Sequence, residues 1–147
     1  MIKIQYPPHR PNIKMLDGKE FIFDEIRRQW VVLTPEEWVR QNFLGYLVRE
    51  KLYPASLLAV EKEIEVSGLR KRFDIVVYGR DALPWMIVEC KEMNVALKGP
   101  VLDQALRYNI SLGVKYIAIT NGSYCYAFLA NAGKLEEINE LPAFEIS

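Results

Sequence analysis

The chain contains 147 residues, half of them apolar and about a quarter charged, which is the size and composition of one globular domain and not of a disordered segment. Its 19 basic residues balance 19 acidic ones, so any binding of nucleic acid requires a local basic patch. Two cysteines without zinc-ligand spacing and a single histidine argue against a Cys/His metal centre. The absence of a signal-like segment and of a membrane-spanning apolar run predicts a cytoplasmic protein with no membrane partner.

Residues 1–33 are predicted to form an N-terminal arm and hairpin that pack on a core of residues 34–147, within a single domain overall. Three prolines among the first twelve residues favour an extended arm. Apolar runs on either side of Asp17-Gly18 predict a tight hairpin, because this dipeptide supplies the positive φ angles of such a turn. After it we expect a short helical turn that leads into a strand at residues 30–33.

A helix is predicted from Thr34 to about Leu52. Thr34 can cap the helix, Pro35 suits its first position, and Glu37 can complete a capping box with Thr34. The helix must end before Pro54, because proline cannot continue the backbone hydrogen bonds.

The remainder of the chain alternates strands and turns around one further helix. The predicted strands are residues 56–67, 72–78, 85–91, 115–120 and 123–130, the predicted helix is 101–112, and residues 134–147 form an edge strand or a tail. The resulting order, α-β-β-β-α-β-β with an N-terminal hairpin extension, predicts an α/β (α+β mixed) fold in which helices flank a central mixed sheet.

Charged residues stand at the ends of two neighbouring strands in this pattern. Asp74 opens one apolar run, and Glu89 and Lys91 close the next. Because side chains alternate along a strand, Glu89 and Lys91 share a face and Asp74 can lie across from them. Such charges must be paired, bound to a metal or exposed at a cleft. If they converge without a cation, the two carboxylates repel each other, and removal of one charge should raise the melting temperature slightly in metal-free buffer.

An Asp on one strand followed by Glu-x-Lys on the next resembles the pattern of the PD-(D/E)xK nuclease superfamily. The fuller segments at residues 72–77 and 87–91 resemble the N-terminal nuclease domain of type I restriction enzyme R subunits. Three flanking segments extend the resemblance, which runs from about residue 34 to residue 129: Pro35–Gln41, Gln104–Tyr108 and Thr120–Gly122. The resemblance implies a restriction-endonuclease-like core and a magnesium-dependent endonuclease that hydrolyses DNA phosphodiester bonds.

The resemblance also implies a metal site. Asp74, Glu89 and the backbone carbonyl of Cys90 would bind Mg²⁺, or alternatively Mn²⁺, with a glutamate of the first helix as a further ligand. Glu36 and Glu37 compete for that last role, and Glu37 already has a local explanation as a capping residue. Magnesium suits such a site, since one or two carboxylates bind it while water and phosphate complete its shell.

Lys91 is the candidate that would orient or deprotonate the attacking water, or hold the phosphate. Gln104 and Tyr108 are four residues apart and share a helix face. We expect Gln104 to face the site as a further catalytic residue. Tyr108 either contacts the nucleic-acid backbone or packs in the core. The basic residues Arg70, Lys71, Arg72 and Lys98 are candidates for the phosphate-binding patch that a neutral chain needs.

A second hypothesis keeps the fold but not the chemistry: a nucleic-acid-binding or assembly module without turnover. On either hypothesis DNA is the expected partner, with a second copy of the chain or a partner chain of a restriction or defence system as the expected assembly. The sequence has no Gly-x-x-x-x-Gly-Lys-Ser/Thr loop, so no nucleotide is expected as a cofactor.

Overall fold

The computed structural model describes residues 1–66, 68–109 and 113–144, with the backbone alone for Val66, Leu69, Tyr108 and Asn109. Within these residues the chain forms a seven-stranded mixed sheet, a three-stranded antiparallel sheet and two α-helices. The predicted mixed α/β architecture is confirmed. The C-terminal end of the second predicted helix, residues 110–112, and the tail residues 145–147 lie outside the described part of the chain.

The helices are α1 (Pro35–Gly45) and α2 (Pro100–Asn109). The strands are β1 (Ile2–Lys3), β2 (Ile13–Leu16), β3 (Lys19–Asp24), β4 (Gln29–Val32), β5 (Leu58–Val66), β6 (Leu69–Tyr78), β7 (Pro84–Cys90), β8 (Tyr116–Thr120), β9 (Tyr124–Asn131) and β10 (Lys134–Ile138).

The larger sheet has the strand order β1-β9-β8-β7-β6-β5, and β10 pairs with β9 beside β1. Pairing is parallel between β7 and β8, where Met86 lies opposite Tyr116, and antiparallel between the other described neighbours. A parallel pair needs a crossover connection, and α2 supplies it. The sheet therefore has a helix on each face, α1 on one and α2 on the other.

Apolar side chains of β6 and β7 alternate between these two sides. Ile75 and Val88 pack with Val39 and Phe43 of α1 in the main core. Val76 and Ile87 pack on the opposite face, where Ile117 of β8 joins them. Because Ile119 of β8 packs against Ala105 of α2, this second face is the α2 side of the sheet.

The N-terminal hairpin is confirmed and gains a third strand. Ile13 pairs with Ile22 across a turn in which Asp17 has φ 50° and Gly18 has φ 78°. β4 pairs along the other side of β3, and Ile2 of the arm pairs with Cys125 of the larger sheet. Neither described helix has the length and apolar character that a membrane span requires.

The first helix differs from its prediction in two ways. Thr34 does cap it, since its Oγ1 accepts a hydrogen bond of 3.0 Å from the Glu37 backbone N–H. The Glu37 side chain does not complete a capping box but turns inward to Arg40 and Gln41. Regular α-helix also ends at Gly45, and residues 46–50 continue as a π-helical segment instead of extending the α-helix to Leu52.

The cap at Thr34 fixes the start of α1, and replacement of a Thr cap by alanine costs about 1 kcal/mol. We expect Thr34→Ala to lower the free energy of unfolding by about that amount in chemical denaturation. Thr34→Ser keeps the capping oxygen and is the matched control, so it should remain close to wild type. Equal losses in both variants would contradict the role of the cap.

Candidate active site

The candidate site lies where β6 and β7 separate. Their pairing runs from Tyr78 opposite Pro84 to Ile75 opposite Val88 and stops there. Asp74 and Glu89 are the next residues on the two strands. Across the opening, the Cys90 backbone N–H donates a hydrogen bond of 2.8 Å to Asp74 Oδ2. Where the strands part, this hydrogen bond to a side-chain carboxylate takes the place of the backbone hydrogen bonds between β6 and β7.

The backbone is irregular here, and this determines where Asp74 points. Phe73 packs with Val76 on the α2 side, although strict alternation would put it with Ile75 on the α1 side. On the neighbouring strand Glu61, between two regular pairs, has a left-handed φ of 50°. Asp74 consequently faces α1, whereas Glu89 and Lys91 line a cleft beside α2, and the expected convergence of the three side chains on one ligand stays a prediction.

Arg40 of α1 is the partner of Asp74. Its Nη2 donates a hydrogen bond of 2.8 Å to Asp74 Oδ1, and its Nη1 donates one of 2.7 Å to Glu37 Oε1. Glu61 and Glu36 approach Nη2 at 3.3 and 3.8 Å. Burial opposes the charge on the guanidinium, but these carboxylates outweigh burial and raise the pKa of Arg40. A buried cation therefore ties β5, β6 and α1 together.

A second arginine extends this network to the N-terminal sheet. Arg27 binds Asp24 at 2.6 Å and reaches Glu61 at 3.1 Å and Glu37 at 3.5 Å. Gln41 bridges Asp24 and Glu37 with hydrogen bonds of 2.9 and 3.0 Å. Burial alone would raise the pKa of Asp24, but the hydrogen bonds from Arg27 and Gln41 prevail and lower it. The network is thus anchored at the inner face of β3.

Negative charge exceeds positive charge in this network. Around Arg40 and Arg27 stand five carboxylates, which belong to Asp24, Glu36, Glu37, Glu61 and Asp74. The pKa of Glu36 shows the effect of this excess. Burial is the main cause that raises this pKa and the Asp74 carboxylate is the second, and together they outweigh the lowering effect of Arg40 and Lys91.

Glu89 and Lys91 line an open cleft of about 410 Å³ on the α2 side of the sheet. Gln104, Val101 and Ala105 of α2 form the opposite wall, and Lys71 of β6 completes the lining. Lys71 Nζ lies 2.7 Å from Glu89 Oε1 and 4.9 Å from the centroid of the Phe73 ring. The structure therefore brings together three of the four residues predicted to be catalytic, and adds Lys71.

The remaining predicted site residues lie away from the cleft or outside the described part of the chain. Arg70, Arg72 and Lys98 are exposed, and Arg70 is within 3.4 Å of Glu65. Strand alternation puts Arg70 and Arg72 on the side of β6 opposite to Lys71, which is the residue of this basic run that reaches the cleft. The side chain of Tyr108 is outside the described residues, so its role stays a prediction.

The metal site stays a prediction, and the residues present fit it in part. Asp74, Glu89 and Glu36 offer the hard carboxylate oxygens that magnesium prefers, and the excess negative charge also suits a cation. Within the described ranges, however, no three His, Cys, Asp or Glu side chains are placed to hold a metal ion together. Asp74 is bound by Arg40 and Cys90, and Glu89 by Lys71. The ligands fit in chemistry, but binding would require at least one carboxylate to turn from its present partner.

Cys90 takes part through its backbone. Its side chain is buried in the main core, where burial raises the pKa of the thiol and keeps it protonated. The thiol is therefore not a metal ligand here, which leaves the backbone carbonyl as the group named in the prediction.

The sequence analysis missed Arg40, and a signal for it exists. Glu37, Arg40, Gln41 and Leu44 follow the spacing of a buried helix stripe, and all four are buried. Polar residues at core spacing indicate a buried polar network. By contrast, no sequence feature marks Glu61, because glutamate is not a residue that favours a left-handed backbone.

A mixed sheet with helices on both faces, and with acidic and basic side chains where β6 and β7 part, is the arrangement of the restriction-endonuclease-like nuclease fold. Residues 35–142 match the family described as the type I restriction enzyme R protein N terminus, and the chain belongs to this family.

One solved structure agrees at the level of fold, and a second is similar over part of the chain. A protein from Anabaena variabilis, described as a candidate nuclease belonging to DUF820, superposes with a TM-score of 0.51 at 10% identity, over 94% of this chain and 86% of its own. A fragment of a candidate HsdR subunit of a type I restriction enzyme from Vibrio vulnificus is 23% identical over 65% of this chain, with a TM-score of 0.46. This chain covers 21% of that fragment. No curated protein matches the sequence significantly.

Because Asp74 is paired with Arg40, we now expect removal of its charge to lower stability in metal-free buffer, and not to raise it. Asp74→Asn removes one of the carboxylates that bind the buried Arg40, together with a charge-assisted hydrogen bond of 2.8 Å, and a buried hydrogen bond to a charged group is worth about 1.5–3 kcal/mol. We expect the free energy of unfolding to fall by about that amount in chelator-containing buffer. Glu63→Gln removes a carboxylate from an exposed pair with Arg70 and is the control, with an expected loss of under about 1 kcal/mol. A rise in stability for Asp74→Asn would restore the repulsion hypothesis.

Glu36 yields a prediction for the dependence of stability on pH. Because its pKa is raised in the folded state, ionisation costs the folded state more than the unfolded one, and stability is lost as pH rises from about 4.3 through the raised value. Glu36→Gln removes this loss. We expect its melting temperature to exceed that of wild type at neutral pH and to approach it at about pH 4. Glu20→Gln, on the exposed surface of β3, measures the general effect of one lost charge.

Proposed function

We propose that this domain is a metal-dependent nuclease that hydrolyses DNA phosphodiester bonds. The observation that supports this most directly is the grouping of Glu89, Lys91 and Gln104 in one open cleft, with Asp74 bound to the intervening Cys90 amide. The family and the fold support the same class of protein. The domain's substrates and partners within a longer restriction enzyme are part of this proposal.

Asp74, Glu89 and the Cys90 carbonyl would hold Mg²⁺ or Mn²⁺, with Glu36 as the first-helix ligand in place of Glu37. Glu37 is 8% exposed and its carboxylate is taken by Arg40 and Gln41, whereas the Glu36 side chain is 53% exposed beside Asp74. A bound magnesium would neutralise charge on the scissile phosphate and lower the pKa of a bound water. Arg40 fixes the position of Asp74 from behind.

The backbone of Lys91 is held in place, and its side chain lines the cleft. Its backbone N–H donates to the Thr120 carbonyl at 2.8 Å, so the end of β7 is fixed against β8. The side chain enters the cleft beside Glu89, and its ammonium is close enough to Glu36 to influence its pKa. From there it can hold the attacking water or a phosphate oxygen. Positive charge at this position stabilises the charge that develops on the phosphate in the transition state.

Lys71 and Gln104 shape the same cleft. Lys71 neutralises and orients Glu89 through their 2.7 Å contact. Gln104 is exposed on α2 at the mouth of the cleft, where its amide can donate to a phosphate or a base. Arg70, Arg72, Lys98 and Tyr108 would add contacts to the DNA backbone beyond the cleft.

One observation favours the second candidate, a DNA-binding or assembly module without turnover. Each carboxylate of the core motif already has a cationic partner, Arg40 for Asp74 and Lys71 for Glu89. A domain that keeps these pairs has no need of a metal for its electrostatic balance. The two candidates differ in whether any metal-dependent cleavage occurs.

Lys91→Ala separates the candidates. We expect wild-type protein to cleave plasmid DNA with Mg²⁺ or Mn²⁺ and not with chelator, and Lys91→Ala to lose at least about 100-fold in cleavage rate, since a positioned proton-transfer group contributes that much or more. Its circular dichroism spectrum, melting temperature and DNA affinity should stay near wild type. Lys134→Ala, at an exposed position of β10, is the matched control. If wild-type protein leaves plasmid, linear and single-stranded DNA intact with both metals, the enzyme proposal fails and the binding module remains.

A further inference from the structure

The outer face of the N-terminal sheet is an aromatic surface without a covering element among the described residues. Pairing places Phe21 opposite Val32 and Phe23 opposite Trp30, with their side chains on the face that points away from the core. Trp30 is 39% exposed and Val32 48%. The Phe23 and Trp30 rings meet edge to face at 5.3 Å. We call this face, with the neighbouring side chains of β2 and β3, the aromatic platform.

The charge of the platform is of one sign. The register adds three further residues to this face, Lys14 opposite Phe21 and the pair Leu16 and Lys19. Its seven side chains thus include two lysines and no carboxylate, in a chain whose net charge is zero. Lys14 Nζ lies 4.3 Å from the centroid of the Trp30 ring, so positive charge and an aromatic face occur together.

We propose that the aromatic platform binds unpaired bases of single-stranded DNA, an inference that rests on the proposed DNA-directed function. Bases stack on exposed aromatic rings, and lysines beside the rings neutralise the phosphates. A duplex hides its base faces within the stack, so exposed aromatic rings recognise unpaired nucleotides rather than paired ones. A base stacked on Trp30 leaves the flexible Lys14 side chain within reach of the phosphate of the same nucleotide.

The platform is directly connected to the candidate active site through β3. Phe21 and Phe23 project outward from this strand, whereas Asp24 projects inward and is fully buried. Asp24 binds Arg27 and Gln41, which contact Glu37 beside Arg40. A DNA strand held on the platform is therefore bound to the strand whose Asp24 belongs to the network that positions Asp74.

The test is equilibrium binding of a dye-labelled oligothymidylate of about 12 nucleotides, measured by fluorescence anisotropy in chelator so that cleavage plays no part. We expect Trp30→Ala to weaken binding about 5- to 150-fold, because stacking of one base on an aromatic side chain is worth about 1–3 kcal/mol. Trp30→Phe keeps a ring and should retain most of the affinity. Leu83→Ala, an exposed apolar residue in the turn between β6 and β7, is the matched control and should bind like wild type.

Lysine substitutions test the electrostatic part. Lys19→Gln should reduce the slope of log affinity against log salt by about 0.7, the value for one phosphate contact on a single strand, while Lys134→Gln should leave it unchanged. Circular dichroism and melting temperature confirm that each variant is folded.

Several outcomes would overturn the inference. One is that Trp30→Ala binds single-stranded DNA with wild-type affinity, and another is that this variant loses affinity for duplex DNA to the same extent as for single-stranded DNA. A third is that wild-type protein binds an oligouridylate more tightly than the oligothymidylate. The last is that the protein forms a Trp30-dependent dimer in sedimentation and does not bind DNA. Failure of this inference is distinct from failure of the proposed function. If the protein cleaves DNA with metal and Trp30→Ala binds the oligonucleotide like wild type, only the proposal for the aromatic platform is contradicted. If binding depends on Trp30 and no cleavage occurs, only the nuclease proposal is contradicted.

Discussion

Arg40 is 5% exposed, and its Nη1 and Nη2 lie between 2.7 and 3.8 Å from four carboxylates contributed by α1, β5 and β6. A buried guanidinium without partners would cost several kcal/mol in desolvation, so these contacts are required for the charge to be tolerated at all. The same contacts fix the distance between the helix and the sheet beside the opening of β6 and β7. Its Nε remains without a hydrogen-bond partner in the described part of the chain, which leaves the network short of full satisfaction.

Regular elements were predictable because their signals are local. Asp17-Gly18 specifies a hairpin turn, Thr34-Pro35 specifies a helix start, and β7 alternates regularly enough to place Glu89 and Lys91 in one cleft. The orientation of Asp74 was not predictable, since it depends on an irregular backbone at Glu61 on a neighbouring strand. Ion pairing between distant elements, such as Asp24 with Gln41, likewise follows from the tertiary fold and leaves no periodic trace.

Overall neutrality conceals a separation of charge. On the α1 side of the sheet, carboxylates outnumber arginines. On the α2 side, Lys71 and Lys91 flank Glu89, and the charged residues on the outer face of the N-terminal sheet are both lysines. A polyanion therefore meets attraction at two surfaces and repulsion at the acidic cluster between them. Net charge, which averages over these regions, is a poor guide to the partners of a chain of this kind.

Glu61 illustrates a trade-off between folding and chemistry. A left-handed backbone costs a non-glycine residue about 1–2 kcal/mol, and glycine would adopt it without that strain. Glycine, however, has no carboxylate to share between Arg27 and Arg40. In a library of variants, sequences selected for thermal robustness and those selected for an intact ionic network should thus diverge at this position. A strained glutamate in the middle of a strand then indicates selection for the ion pairs of its side chain and not for an unstrained backbone.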